Sequence, residues 1–202
     1  MIFKRIEKLF ICFSFLTISC CAQSLKRTKS VDYDIKFCQQ YIAKEELDSG
    51  IRCVLDKLSY FERSNMNNIN KHNAYALLGL MYEDKNQNDK SIFYYLKALE
   101  YNEYLTDSLA EKEIKILGKL GALYRNIGKY DESIFYLKQK LESVKNLSGV
   151  NSDVYVNTLS SLSICYKRKD DFAKAIEYNV KSSIIIEKLY GKRSLKYLKQ
   201  TT

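Results

Sequence analysis

Between residues 74 and 82 the apolar residues fall at Ala74, Leu77, Leu78, Met81 and Tyr82, and between 117 and 127 at Leu117, Leu120, Leu123, Tyr124 and Ile127. Both rows keep the three- and four-residue spacing of one face of an amphipathic helix. Polar breaks follow at 84–89 (DKNQND), 126–131 (NIGKYD) and 167–171 (KRKDD), each with Asn, Gly or Asp suited to ending one helix and capping the next. After the first two breaks the apolar pattern resumes with the same tetrapeptide, SIFY, at 91–94 and again at 133–136. The pattern predicts helix–turn–helix hairpins in series.

The hairpins are copies of one another. Shifting the chain by forty-two residues superposes Leu78, Leu120 and Leu162; Gly79, Gly121 and Ser163; and Tyr82, Tyr124 and Tyr166. Beyond the break it superposes Ser91, Ser133 and Ala175; Ile92, Ile134 and Ile176; and Tyr94, Tyr136 and Tyr178. A weaker copy with Phe37, Cys38, Tyr41, Gly50, Ile51 and Leu55 lies forty-one residues earlier, as terminal repeats with one solvent-facing side commonly are. Small residues at 79 and 91 flanked by large ones let two antiparallel helices approach closely and lock. No single hairpin can bury its own apolar stripe, so stacking must supply the core.

Tyr75, Leu78, Gly79, Tyr82, Ser91, Tyr95 and Ala98 together resemble the tetratricopeptide repeat, W-x2-L-G-x2-Y followed by a small residue, an aromatic and Ala, with Tyr75 in the Trp position. The resemblance covers roughly residues 31–191. It departs in lacking the Pro that closes each unit and in its longer period, which is similar to the kinesin-light-chain type and to many bacterial repeat proteins. The resemblance implies an all-α solenoid of about four stacked hairpins, with the first helix of each lining a concave groove. Carried over residue by residue, the groove takes Asn73, Ala76, Leu80, Glu83 and Asp84; then Lys115, Gly118, Ala122, Arg125 and Asn126; then Asn157, Ser160, Ile164, Lys167 and Arg168. Lys115, Arg125, Asn126, Asn157, Lys167 and Arg168 form the candidate peptide-binding cluster, since such groups donate directionally to carboxylates and peptide carbonyls. The competing reading of the same residues is solvated helix ends beside the turns.

Composition agrees with a helical chain: 202 residues, 46% hydrophobic, 28% charged, no proline and only seven glycines. The first twenty-two residues place Lys4, Arg5 and Lys8 before an apolar run from Leu9 to Ala22, the layout of a secretory signal peptide. That run is too short for a bilayer core, which needs roughly 20 residues. Cleavage after Ala22 leaves 23–30 as a short linker; lipidation at Cys20 or Cys21 is the alternative, and an uncleaved anchor a third. Removing 1–22 takes the formal charge from +9 to +7, and the lysines are spread along the chain, which points to a solvated surface and away from nucleic acid.

Three cysteines remain, Cys38, Cys53 and Cys165, an odd number without short spacing, read as small buried hydrophobes with no disulfide framework or metal cluster. His72, the only histidine, sits between Lys71 and Asn73 and reads as a surface residue. Gly118 and Gly121 lie inside a helical pattern, so they read as close-packing positions, with Gly118 opening space on the groove, and not as a nucleic-acid loop. The tyrosines at repeat positions read as core. No catalytic motif occurs, and neither enzyme activity nor a cofactor is expected. At the end, Gly191, Ser194 and Tyr197 repeat Gly149, Ser152 and Tyr155, so 192–202 is expected to be a short capping helix or the start of a fifth hairpin. The functional expectation is an exported, periplasmic or envelope-bound, non-catalytic scaffold for a protein or peptide partner. Its rival is a truncated periplasmic input module of a larger signalling receptor.

Overall fold

A computed structural model of the protein describes residues 35, 37–63, 68–101 and 107–191; the signal-like segment with Cys20 and Cys21, the linker and residues 192–202 lie outside the described residues. The described residues are helical, with no strand among them. Helix α1 covers 37–43; then follow α2 (Leu47–Arg63), α3 (Asn68–Asp84), α4 (Asn88–Glu100), α5 (Asp107–Asn126), α6 (Tyr130–Ser148), α7 (Asp153–Arg168) and α8 (Phe172–Tyr190). Helices α3 and α4, α5 and α6, and α7 and α8 pack as antiparallel hairpins, and each hairpin packs on the next in chain order. Helices α4, α6 and α8 begin at 88, 130 and 172, forty-two residues apart, while α3, α5 and α7 begin at 68, 107 and 153.

The turns explain why each first helix stops where it does. At the ends of α1, α3, α5 and α7 the residue in the left-handed region is Glu45, Asn86, Gly128 or Asp170. The following amide donates back to a tyrosine carbonyl: Glu46 to Tyr41, Gln87 to Tyr82, Lys129 to Tyr124 and Asp171 to Tyr166, at 2.9–3.0 Å. This is a Schellman closure, which satisfies carbonyls left over at a helix end and reverses the chain at a fixed angle. Asn, Asp and Gly accept that backbone at little cost; Glu45 in the weaker first copy does not share the advantage.

Inside each hairpin the small positions meet. Ser91 Oγ donates to the Gly79 carbonyl at 2.8 Å and Ser133 Oγ to the Gly121 carbonyl at 2.6 Å. In the fourth hairpin the roles are exchanged, with Ser163 Oγ donating to the Ala175 carbonyl at 2.7 Å. A Cβ on Gly79 would lie 2.7 Å from the Tyr95 ring, and one on Gly121 2.8 Å from Leu137, so the helices touch at these points. Leu78, Leu120 and Leu162 are fully buried beside them, the first two in one apolar cluster and Leu162 in a second one with Ile134, Leu137 and Tyr166. The repeat tyrosines are half-buried for the most part and stack in parallel pairs, Tyr82 on Tyr94, Tyr124 on Tyr136 and Tyr166 on Tyr178, with centroids 5.2–5.4 Å apart.

Two expectations are corrected. Cys38 and Cys53 are joined in a disulfide that ties α1 to α2, and only Cys165 is a free, buried thiol among the described residues. Spacing along the chain misses the bond because the pair meets only when the hairpin closes, bringing the two Cα atoms to 5.8 Å. His72 is fully buried, not on the surface, because it shares its helix face with Tyr75 and Gly79 and turns inward against α4.

Reduction of the bond, or Cys53→Ser, is expected to loosen the first hairpin by about 3 kcal/mol, the scale for a loop of this length, read as faster amide exchange in α1 and α2 with α5–α8 unchanged. Gly79→Ala is expected to cost about 1–3 kcal/mol through overpacking against Tyr95, measured by urea unfolding.

Candidate functional site

Helices α1, α3 and α5, the first helices of three successive hairpins, enclose a groove of 430 Å³. Asn73, Ala76, Leu77 and Leu80 form the α3 wall, and Lys112, Lys115, Ile116 and Lys119 the α5 wall. Ile35 and Gln39 border it at the α1 side, and His72 and Tyr95 also line it. Lysines at i, i+3 and i+7 share one helix face and span about 10 Å at 1.5 Å per residue. The α3 row has the same spacing and is mostly apolar. The groove therefore offers one basic wall and one apolar wall.

Two of the three ammonium groups are already held. Lys112 Nζ donates to Asn73 Oδ1 at 3.0 Å, across the groove. Lys119 Nζ pairs with Glu83 Oε1 at 2.9 Å, while the Tyr95 hydroxyl donates to Glu83 Oε2 at 2.9 Å, so one carboxylate joins α3, α4 and α5. Burial, with the Glu83 carboxylate beside it, holds the Tyr95 hydroxyl firmly protonated. Lys115 is exposed and makes no hydrogen bond or ion pair among the described residues.

His72 stands behind this wall. Its Nδ1–H donates to the Ala98 carbonyl at 2.9 Å, which leaves Nε2 as a buried acceptor with no partner among the described residues. Burial lowers its pKa from the usual value, with the Lys112 charge adding to the effect and the Ala98 bond opposing it.

The sequence-derived cluster divides. Lys115 lines the groove. Asn157 is exposed at the corresponding place on α7, but Arg125 and Asn126 close α5, and Lys167 and Arg168 close α7, about 15 Å further along the helix by rise per residue. Arg125, Lys167 and Arg168 lie beside the turns, where the competing reading puts them. Contrary to the expectation that Gly118 opens space on the groove, that space is taken by Lys140 of α6, whose Nζ is 2.8 Å from where a Cβ would stand; burial lowers the pKa of that amine. Lys112 and Lys119 were missed, although their spacing from Lys115 was legible; a groove template that takes one lysine from this helix overlooks the row. Among the described residues there is no metal-ligating cluster, and no helix is long and apolar enough to cross a membrane.

Stacked helical hairpins whose first helices line a groove define an α-solenoid built for interaction. Tetratricopeptide-repeat models match residues 72–104 and 113–197, together more than half of the sequence. The chain belongs to the tetratricopeptide-repeat family. Apo RapI is similar in fold, with a TM-score of 0.68, 17% identity and coverage of 85% of this chain and 60% of that one. So is a signal-transduction ATPase of the STAND class with a tetratricopeptide-repeat sensor, from Pyrococcus horikoshii, at 0.67, 20%, 84% and 25%. A kinesin light chain-like protein from Podospora anserina with nearly identical TPR-like repeats gives 0.64, 12%, 81% and 77%. The chain spans 60% of RapI and 62% of BtubC from P. vanneervenii, another of the similar structures. No curated protein matches the sequence. The fold is typically that of a non-catalytic scaffold for protein interaction.

His72, as the only histidine, supplies a direct test of the buried geometry. A folded pKa below the unfolded one means that the unfolded chain binds the extra proton first, so stability is complete above about pH 6.5 and falls as pH drops from there towards the folded pKa. Urea unfolding between pH 7.5 and 5 is expected to show this slope, and His72→Leu to flatten the part due to the imidazole; the single imidazole resonance by NMR is expected to titrate below the free value.

Proposed function

We propose that the protein is an exported scaffold that holds an extended, acidic segment of a partner protein in the groove between α3 and α5. The observation that carries this reading is the lysine row Lys112–Lys115–Lys119 facing the apolar row Ala76–Leu77–Leu80. The Lys115 ammonium, the remaining protons of Lys112 and the Asn73 amide N–H can take carboxylates and peptide carbonyls, Lys119 being paired with Glu83, while the apolar wall takes alternate side chains. Export is supported by the signal-like segment and by the Cys38–Cys53 disulfide, a bond that persists in oxidising compartments and is rare in the cytosol. Periplasm or envelope is the corresponding location, with Cys20 and Cys21 as sites for a lipid should cleavage precede one of them. A second reading, an input module of a larger signalling protein, is favoured by the likeness to the STAND ATPase, in which such repeats are a sensor.

Pull-down from cell-envelope extracts is expected to lose the partner with Lys112→Glu/Lys115→Glu and to keep unchanged helicity by circular dichroism. Arg125→Glu/Lys167→Glu tests the other end of the helices. Loss with the first pair alone places the partner in the α3–α5 groove; loss with the second alone moves it to the turn edge; undiminished capture by both removes the groove from the reading.

A further inference from the structure

His72 borders the α3–α5 groove and is itself completely buried. A carbonyl can only accept, so the 2.9 Å contact with Ala98 puts the ring proton on Nδ1 and leaves the Nε2 lone pair as an acceptor without a partner among the described residues. Burial and the Lys112 charge both keep a second proton off the ring. Donors elsewhere in the groove turn to other acceptors: Lys112 Nζ to Asn73, Lys119 Nζ and the Tyr95 hydroxyl to Glu83. Leu77, Leu80, Ile116 and Ile35 border the same groove and have nothing to donate from their side chains. A buried acceptor of this kind is costly to leave unmade, and it opens onto a groove.

We infer that this part of the groove is a tyrosine subsite, in which a phenol of the partner's acidic segment donates its O–H to His72 Nε2; the inference rests on the groove being the seat of such a segment. A volume of 430 Å³ falls within the ~300–1,000 Å³ of ligand pockets and has room for an aromatic side chain with the backbone that carries it. The surroundings select among donors. Lysine and arginine side chains are repelled by Lys112, Lys115 and Lys119, while serine or threonine brings a hydroxyl but leaves the apolar wall uncovered. An aromatic ring covers that wall, and a phenol carries its donor at the tip, in line to reach a buried acceptor, where an indole carries it at the side of the ring. Nε2 is shut off from solvent, so the phenol enters by parting Lys112 from Asn73, the bond that crosses the groove. A carboxylate beside the tyrosine then takes the ammonium that Asn73 gives up, and a second meets Lys115.

Two acetylated pentapeptides, Asp-Glu-Tyr-Glu-Asp and its counterpart with Phe in the middle, are titrated into the full chain with Cys20 and Cys21 changed to Ser, followed by NMR of the imidazole nitrogens. The tyrosine peptide is expected to bind about fivefold more tightly, the scale of one hydrogen bond. It is also expected to move the Nε2 resonance of the single histidine from the position of a free acceptor to that of a hydrogen-bonded one, which the Phe peptide does not. In His72→Leu the two peptides are expected to bind within about twofold of each other. Should that variant lose helicity, the Nε2 resonance of the unsubstituted imidazole decides alone. Equal binding of the two peptides overturns the inference and leaves the acidic-segment reading standing. A tyrosine preference that persists in His72→Leu overturns it as well, by seating the hydroxyl elsewhere. So does an Nε2 resonance in the hydrogen-bonded position before peptide is added, since the acceptor then has its partner within the chain. Binding of neither peptide overturns the inference together with the reading on which it rests.

Discussion

The close crossing within each hairpin is the contact on which the rest depends. At Gly79, Gly121 and Ser163 the first helix presents almost no side chain, and Ser91, Ser133 or Ala175 comes against it from the second. A buried hydroxyl would be costly there without a partner, and a carbonyl of the facing helix supplies one. The exchange of donor and acceptor sides in the fourth hairpin shows that what is kept is the pair, small residue plus one hydroxyl, and not either residue alone. Because the helices meet so closely at that point, Leu78, Leu120 and Leu162 beside it are driven into the inter-hairpin core.

Two other repeated devices turn this contact into a groove. The Schellman closure fixes the reversal at each turn, and the stacked tyrosine pair just inside it braces the angle between the helices, as offset aromatic contacts do. With reversal and angle repeated, the first helices come to lie side by side. Their shared face is then available for chemistry, and the row on α5 gives that face its charge. Glu83 shows the coupling: it takes Lys119 from the next hairpin and the Tyr95 hydroxyl from its own, so groove charge and hairpin packing are joined in one carboxylate.

Residues that repeat could be read from the sequence, because each must satisfy the same neighbour: Leu78, Gly79, Tyr82, Ser91 and their copies in the next two hairpins took the places their spacing gave them, whereas Phe37, at the Leu78 position of the weak first copy, is half exposed. Residues that occur once were harder. Cys38 and Cys53 pair only through the closed hairpin, in the copy whose identities are weakest. His72 has polar neighbours in sequence, and only its phase with Tyr75 and Gly79 carries the sign of burial. The expected groove cluster joined Lys115 to Arg125, which the pitch of the helix separates by about 15 Å and turns to another face. Spacing of three and seven, not kinship by repeat position, is the signal that selects Lys112 and Lys119.

Ile176 marks where a repeat argument changes its meaning. A side chain chosen to sit under a neighbouring hairpin is written into the fourth copy as into the second and third, but whether it is buried is decided by what lies beyond α8. Repetition in sequence thus specifies a contact face, while the order of stacking decides which faces remain for partners. In this chain the face shared by α3 and α5 is half basic, which favours directional recognition of carboxylates and carbonyls.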